Sequence, residues 1–275
     1  MKCESPRLRA RLTCLATFIA VLAAVPAAAA KFRFSVEPEY PPAQAEEVYA
    51  PLIAYLERAT GHQFTLVVPR SYHLLWRDMR NDTPVDFVFE DAHLTDYRIE
   101  RRGFEPLARL ATPTSFSLIA LPETAESGLD ALVGYRVVSM PSPSLGYAAL
   151  DRFYPNPLAQ PELLSVAATW RDGVEMVFAG EAEAAMVPNY IASLYPNLSP
   201  LGETPPYPAR AVSAAPSVPD EVKQAVREAL LVMHEDESLY TALNEIGAIR
   251  FEPASAEEYR GQDRLLRGFI GYREP

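Results

Sequence analysis

Short runs that alternate apolar and polar positions trade places along this chain with longer runs whose apolar residues recur every three to four positions. Residues 31–36 (KFRFSV) alternate as a half-buried strand does. Val48, Leu52, Leu56 and Ala59 then follow at helical spacing over 45–60, until Gly61 stops the pattern. Pro51 interrupts that run, which places the expected start of the helix near Tyr49. Residues 64–68 read as a strand, Ser71 can cap a helix carrying Leu74, Leu75 and Met79, and 85–89 (VDFVF) read as the next strand. A helix over 91–102 ends at Gly103. This β-α-β-α-β-α order predicts a parallel or mixed sheet with helices on both faces, so the class is α/β.

The same alternation then begins again. Strands are expected at 104–110 and 116–121, a helical turn at 129–132, a strand at 135–138 and a helix at 145–153. A strand at 163–167, a helix at 173–178, a strand at 183–187 and a helix at 189–195 follow. The tripeptide WRD occurs in each half, at Trp76 and at Trp170, and from it both halves run helix, acidic turn, short strand and helix. Residues 198–220 are rich in proline around one strand-like piece, 209–214, and the remainder reads as helices at 219–233, 237–246 and 255–269. Three helices with almost no strand cannot complete the second sheet, but they can pack on the first half. The expected organisation is one lobe from 31–112 plus 208–275 and a second from 113–207. Two crossings between lobes make a hinge, and a cleft between hinged lobes suits a small ligand.

Composition changes this picture at the amino terminus. Lys2, Arg7, Arg9 and Arg11 precede the apolar run LTCLATFIAVLAAVPAAAA, which ends in small residues, so 1–30 reads as a secretory signal peptide cleaved near Ala30. A retained anchor is the competing reading, and acylation of Cys14 is a third, although a lipid-modified cysteine should follow the apolar run rather than precede it. Both cysteines, Cys3 and Cys14, lie in this leader, so the exported chain would hold no disulfide and no thiolate. Removing the leader's four basic residues and one acidic residue from totals of 25 and 36 leaves 21 and 35, a net charge of −14. Such a surface repels phosphate backbones and excludes nucleic acid as a partner.

Catalytic signatures are missing: no G-x-S-x-G elbow, no phosphate-binding loop, no H-E-x-x-H and no G-x-G-x-x-G. Glu90, Asp91, His93 and Asp96 (EDAHLTD) could hold a metal and support a hydrolase. The plainer reading is a capping Asp91 among solvated acids. The turn SMPSPSLGYAAL, from Ser139, is more suggestive. Ser142 or Ser144 can cap the helix that follows, and the free N–H groups of a helix start favour an electron-rich group. An ordinary capped helix is the alternative. The turn's place at the carboxyl end of a strand, where open α/β sheets bind ligands, is the added reason to single it out.

Several segments together resemble the periplasmic substrate-binding proteins of phosphate, phosphite and phosphonate ABC transporters. They are PLIAYLERATG (from Pro51), VVPRSY (from Val67), VDFVFED (from Val85), LDALVGYRVV (from Leu129) and PSPSLGY (from Pro141). The resemblance implies a two-lobed, type 2 periplasmic-binding fold of two mixed sheets flanked by helices, with a two-crossing hinge. It also implies a monomer without enzymatic activity or cofactor, which hands its ligand to an ABC permease. A sensory protein of the same fold, reporting to a membrane kinase, is the alternative. Carried over by position, the ligand site would hold Glu37, Tyr40, Tyr72, Glu90, Asp91, Ser142, Ser144, Tyr147, Arg171 and Glu183. Two positions depart from the family pattern. Glu90-Asp91 stand where a small neutral turn is expected, and TWRDG replaces a histidine region, leaving Arg171 as the nearest cation. These departures open the ligand to cationic, zwitterionic or neutral chemistry.

Overall fold

The structure, a computed structural model, describes residues 29–274, so the leader lies outside the described residues. Strand β1 (Lys31–Val36) leads into helix α1 (Pro42–Thr60), which buries Ala45, Tyr49, Leu52 and Leu56 on one face. The helix starts well before Tyr49 and runs through Pro51. One missing N–H costs less than exposing that apolar face would. Strand β2 (Gln63–Val67), helix α2 (Tyr72–Arg80), strand β3 (Phe87–Glu90), helix α3 (Ala92–Arg102) and strand β4 (Glu105–Leu110) follow. Ser71 caps α2 by accepting from the Leu74 N–H, and Gly103 closes α3 at φ 65°.

Beyond β4 the chain enters a second sheet. Strand β5 (Phe116–Ala120), helix α4 (Pro122–Glu126), strand β6 (Arg136–Val138), helix α5 (Leu145–Phe153) and strand β7 (Glu162–Leu164) come first. Helix α6 (Trp170–Phe178), strand β8 (Ala184–Pro188), helix α7 (Asn189–Ala192) and strand β9 (Ser199–Glu203) complete the set. Helix α6 begins three residues before the expected 173, because Thr169 and Asp172 form a reciprocal capping box. The chain returns through β10 (Ala211–Ala214), α8 (Asp220–Val232), α9 (Tyr240–Glu245), β11 (Phe251–Pro253) and α10 (Ala256–Tyr259).

The first sheet has the order β11-β4-β10-β3-β1-β2 and the second β7-β6-β8-β5-β9. In the first, β2, β1 and β3 run parallel while β10 is antiparallel to both β3 and β4. In the second, β7, β6 and β8 run parallel and β5 runs against β8 and β9. Both sheets are therefore mixed. The two segments that join them bridge each other, since Thr114 and Tyr207 exchange both backbone hydrogen bonds, at 3.1 and 2.8 Å.

One core packs α1, α8 and α9 against the first sheet. The other continues from the second sheet across the lobe junction, and includes Tyr72, Leu75, Trp76 and Leu94 from α2 and α3. The expected helix over 255–269 is instead α10, then Gly261 at φ 83°, then a 3-10 turn at Gln262–Leu266. This tail runs along α3, and its Leu266 joins the second core. No described helix is long and apolar enough to cross a membrane.

Candidate functional site

The carboxyl ends of β1 and β3 deliver acids to the junction between the lobes. Glu37 and Glu39 follow β1, Asp91 follows β3, and all three are buried. Arg210, just ahead of β10, supplies the cation: its Nη1 donates to Glu39 Oε2 at 2.7 Å, and its Nε lies 3.6 Å from Asp91 Oδ1. The guanidinium also stacks over Phe89, 4.4 Å from the ring centre. Glu37 accepts the Asp91 N–H, so a carboxylate already sits at the start of α3. Asp91 itself makes no capping bond.

Burial dominates the electrostatics. It pushes the Glu37 carboxyl well above the usual range, and the neighbouring Asp91 charge adds to the shift. Asp91 is raised to about 7 by burial, against the lowering influence of Arg210. One guanidinium shared by three carboxylates does not neutralise them.

A cavity of about 190 Å³ opens beside this group. Glu39, Asp91 and Arg210 form one wall; Phe116, Asn189 and Tyr190 from the second lobe form the other; and the crossing segment 112–115 closes the back. Its size suits a solute smaller than the drug-sized ligands that fill roughly 300–1,000 Å³. The lobes meet around it. Trp170 Nε1 donates to Glu39 Oε1 at 2.9 Å, and the His93 ring donates from Nε2 to Pro143 O at 2.7 Å. Burial lowers the His93 pKa to about 4, so the ring is neutral, with Nδ1 facing no hydrogen-bond donor.

Of the residues expected from sequence, Asp91 alone lines the cavity. Tyr72 opens α2, is buried, and has a hydroxyl with no protein partner. Tyr40 is half-buried, and its hydroxyl donates to Glu245 O at 3.0 Å, tying the loop after β1 to α9. Ser142 is half-buried and precedes a cis peptide bond to Pro143. Tyr147 packs on Phe269, with ring centres 5.9 Å apart, and Arg171 is exposed at the start of α6.

Three of the expected residues are already engaged within the protein. Glu90 is locked in a buried two-pronged pair with Arg98, at 2.7 and 2.8 Å, so its charge is already met. The fully buried Ser144 hydroxyl accepts from the Tyr147 N–H and donates to Met140 O, which makes it a helix cap with no proton to offer a ligand. Glu183 precedes β8 and accepts the Arg136 N–H at the start of β6, at the opposite end of the sheet from the 139–144 turn. The EDAHLTD cluster also disperses. Glu90 turns to Arg98, His93 to Pro143, and Asp96 to the Asp263 N–H, and among the described residues no group of three or more His, Cys, Asp or Glu is placed to hold a metal.

Glu39, Arg210, Asn189 and Tyr190 were not singled out from sequence. Glu39 carried a signal, since it lies beside Glu37 at a strand's carboxyl end. Arg210 carried none: its partners are 171 and 119 positions away, and only the return crossing brings them together.

Two lobes closed around a cavity at their hinge define a solute-binding protein of the two-lobed periplasmic type. A family model described as ABC transporter, phosphonate, periplasmic substrate-binding protein matches residues 34–259, and the chain belongs to that family. The family consists of substrate-binding proteins, not enzymes, and acts in the periplasm. Solved structures agree on the fold. PhnD1 from Prochlorococcus marinus, in complex with methylphosphonate, is 12% identical with a TM-score of 0.73, over 86% of this chain and 97% of that one. A binding protein component of an ABC phosphonate transporter from Pseudomonas aeruginosa is 14% identical with a TM-score of 0.71, over 86% and 85%. A Xanthomonas citri protein bound to ATP is 14% identical with a TM-score of 0.65, over 86% and 95%. No curated protein matches the sequence.

Proposed function

We propose that this chain captures a small polar solute in the cavity between its lobes and delivers it to the permease of an ABC transporter, as an exported monomer without catalysis of its own. Its leader, 1–30, is removed near Ala30; residues 31–112 with 208–275 move as one lobe and 113–207 as the other. The observation that carries this reading is a set of buried polar atoms without protein partners at the lobe junction: Glu37 Oε2, Asp91 Oδ1, Tyr72 OH and Arg210 Nη2. Buried polar groups are normally satisfied, and leaving one unmet costs about 1–3 kcal/mol. A solute that fills the cavity can supply partners to Asp91 Oδ1 and Arg210 Nη2, whose residues line it, and hold both lobes at once.

The family supplies phosphonates as the first candidates, with phosphate as their nearest inorganic analogue. A thermal-unfolding panel of these, together with amines and neutral polar solutes, tests the reading. At a hundredfold excess over Kd, a bound solute stabilises the chain by about 2.7 kcal/mol, a clear rise in Tm. A panel in which no small solute raises Tm would sink the proposal.

A further inference from the structure

The charge balance around the cavity goes beyond the family's name. Glu37, Glu39 and Asp91 are 0, 4 and 2% exposed, and the only cation among them is Arg210, already bonded to Glu39 at 2.7 Å. The next buried cation, Arg98, is fully engaged by Glu90. Three carboxyl groups therefore share one guanidinium in a site withdrawn from water, where an uncompensated charge is costly and is relieved either by taking up a proton or by a cationic ligand.

Two independent observations point the same way. Asp91 lines the cavity, and its Oδ1 accepts no hydrogen bond; Glu37 Oε2 beside it is likewise unpartnered. At the start of α3, where a helix would receive an anion, the Asp91 N–H is already taken by the Glu37 carboxyl. Across the cavity stand Phe116 and Tyr190, whose ring faces attract positive charge. A phosphonate dianion would meet a surplus of carboxyl groups, which it could face only in their protonated form, with only a shared guanidinium to hold it. A protonated nitrogen in the cavity would give Asp91 Oδ1 a partner.

We propose that the cavity takes a small organic cation, an ammonium or guanidinium group seated against Asp91 with the Glu37 carboxyl behind it, in place of a bare phosphonate or phosphate. The proposal rests on the cavity being the solute site. Arg210 Nη2 remains free to receive one neutral acceptor, such as a hydroxyl or carbonyl oxygen of the same solute.

Isothermal titration calorimetry on the leader-free chain, with ethanolamine, agmatine and methylguanidinium against methylphosphonate and inorganic phosphate, separates the cases. The expected result is saturable binding of at least one cation and none of either anion. Asp91→Asn should weaken that cation about tenfold or more, as loss of a charge-assisted contact predicts, and Glu37→Gln, one residue removed from the cavity, by less. The wild-type panel does not depend on either variant folding. If methylphosphonate or phosphate binds more tightly than every cation, the cation proposal is overturned while the cavity stands as the solute site. If neutral sugars or amides bind and no ion does, the cation proposal likewise fails alone. If nothing binds in any class, both fall together.

Discussion

Asp91 was legible from sequence as an acid at the end of a strand, but its state depends on neighbours that the sequence does not order. Glu37 and Glu39 reach it from the loop after β1, Arg210 from the crossing before β10, and Glu90 from its own strand. The folded carboxyl titrates at about 7 against an ordinary 3.8, so between these values the folded chain holds a proton that the unfolded chain has lost. Its contribution to stability is present below pH 4 and is lost as pH rises towards 7. His93 works in the opposite sense. Its folded pKa of about 4 lies below the ordinary 6.5, so its contribution grows as pH rises across that window. Asp91→Asn removes the first effect and leaves the second. Relative to wild type, the variant should gain stability between pH 4 and 7, by up to about 1.4 kcal/mol per pH unit. Urea denaturation at a series of pH values measures this, and a constant difference would show that Asp91 titrates as an ordinary carboxylate.

Helix α5 shows how one element can be read correctly and its role still be mistaken. The pattern of 139–153 predicts a proline-stiffened turn, a serine cap and a helix, and all three are present. What the pattern does not reveal is that Ser144 turns inward to Met140 and that the helix packs closely on Trp170 and Phe116 of its own lobe. Gly146 is the position where this is tightest, since a Cβ there would lie 2.7 Å from Trp170 Cη2 and 3.2 Å from Phe116 Cε1. The Trp170 ring is held by Glu39 and cannot retreat without breaking that bond. Gly146→Ala should therefore cost about 1–3 kcal/mol, as overpacking does, and lower the chemical-denaturation midpoint. A midpoint equal to wild type would mean that the packing around Trp170 yields freely. Strands β9 and β11 escaped the sequence reading for a related reason. Each is an edge strand carrying proline, and one also carries glycine, so alternation is too short or too broken to register.

At the scale of the molecule, the chain's end does more than cover the first sheet. The Trp76 indole donates to Ile270 O at 2.8 Å, Asp263 N–H reaches Asp96, and Phe269 packs on Tyr147 of the other lobe. Burying one leucine contributes about 1.5–3 kcal/mol and a net hydrogen bond about 1. Ending the chain after Arg260 removes the fully buried Leu266 and these bonds together, so a loss of about 3 kcal/mol or more is expected by urea denaturation. Unchanged stability would show the tail to be an appendage.

The sequence by itself determined the α/β class, the order of most elements, two of the acids at strand ends and the family. These depend on local periodicity, capping and motif, all of which are written within a few neighbouring positions. Tertiary structure alone decided which polar groups face one another: Glu90 with Arg98, Ser144 with its own turn, and Glu37, Glu39 and Asp91 around Arg210. Charge compensation in a buried site depends on distance in space, and Arg210 arrives only after the chain has built the second sheet and come back.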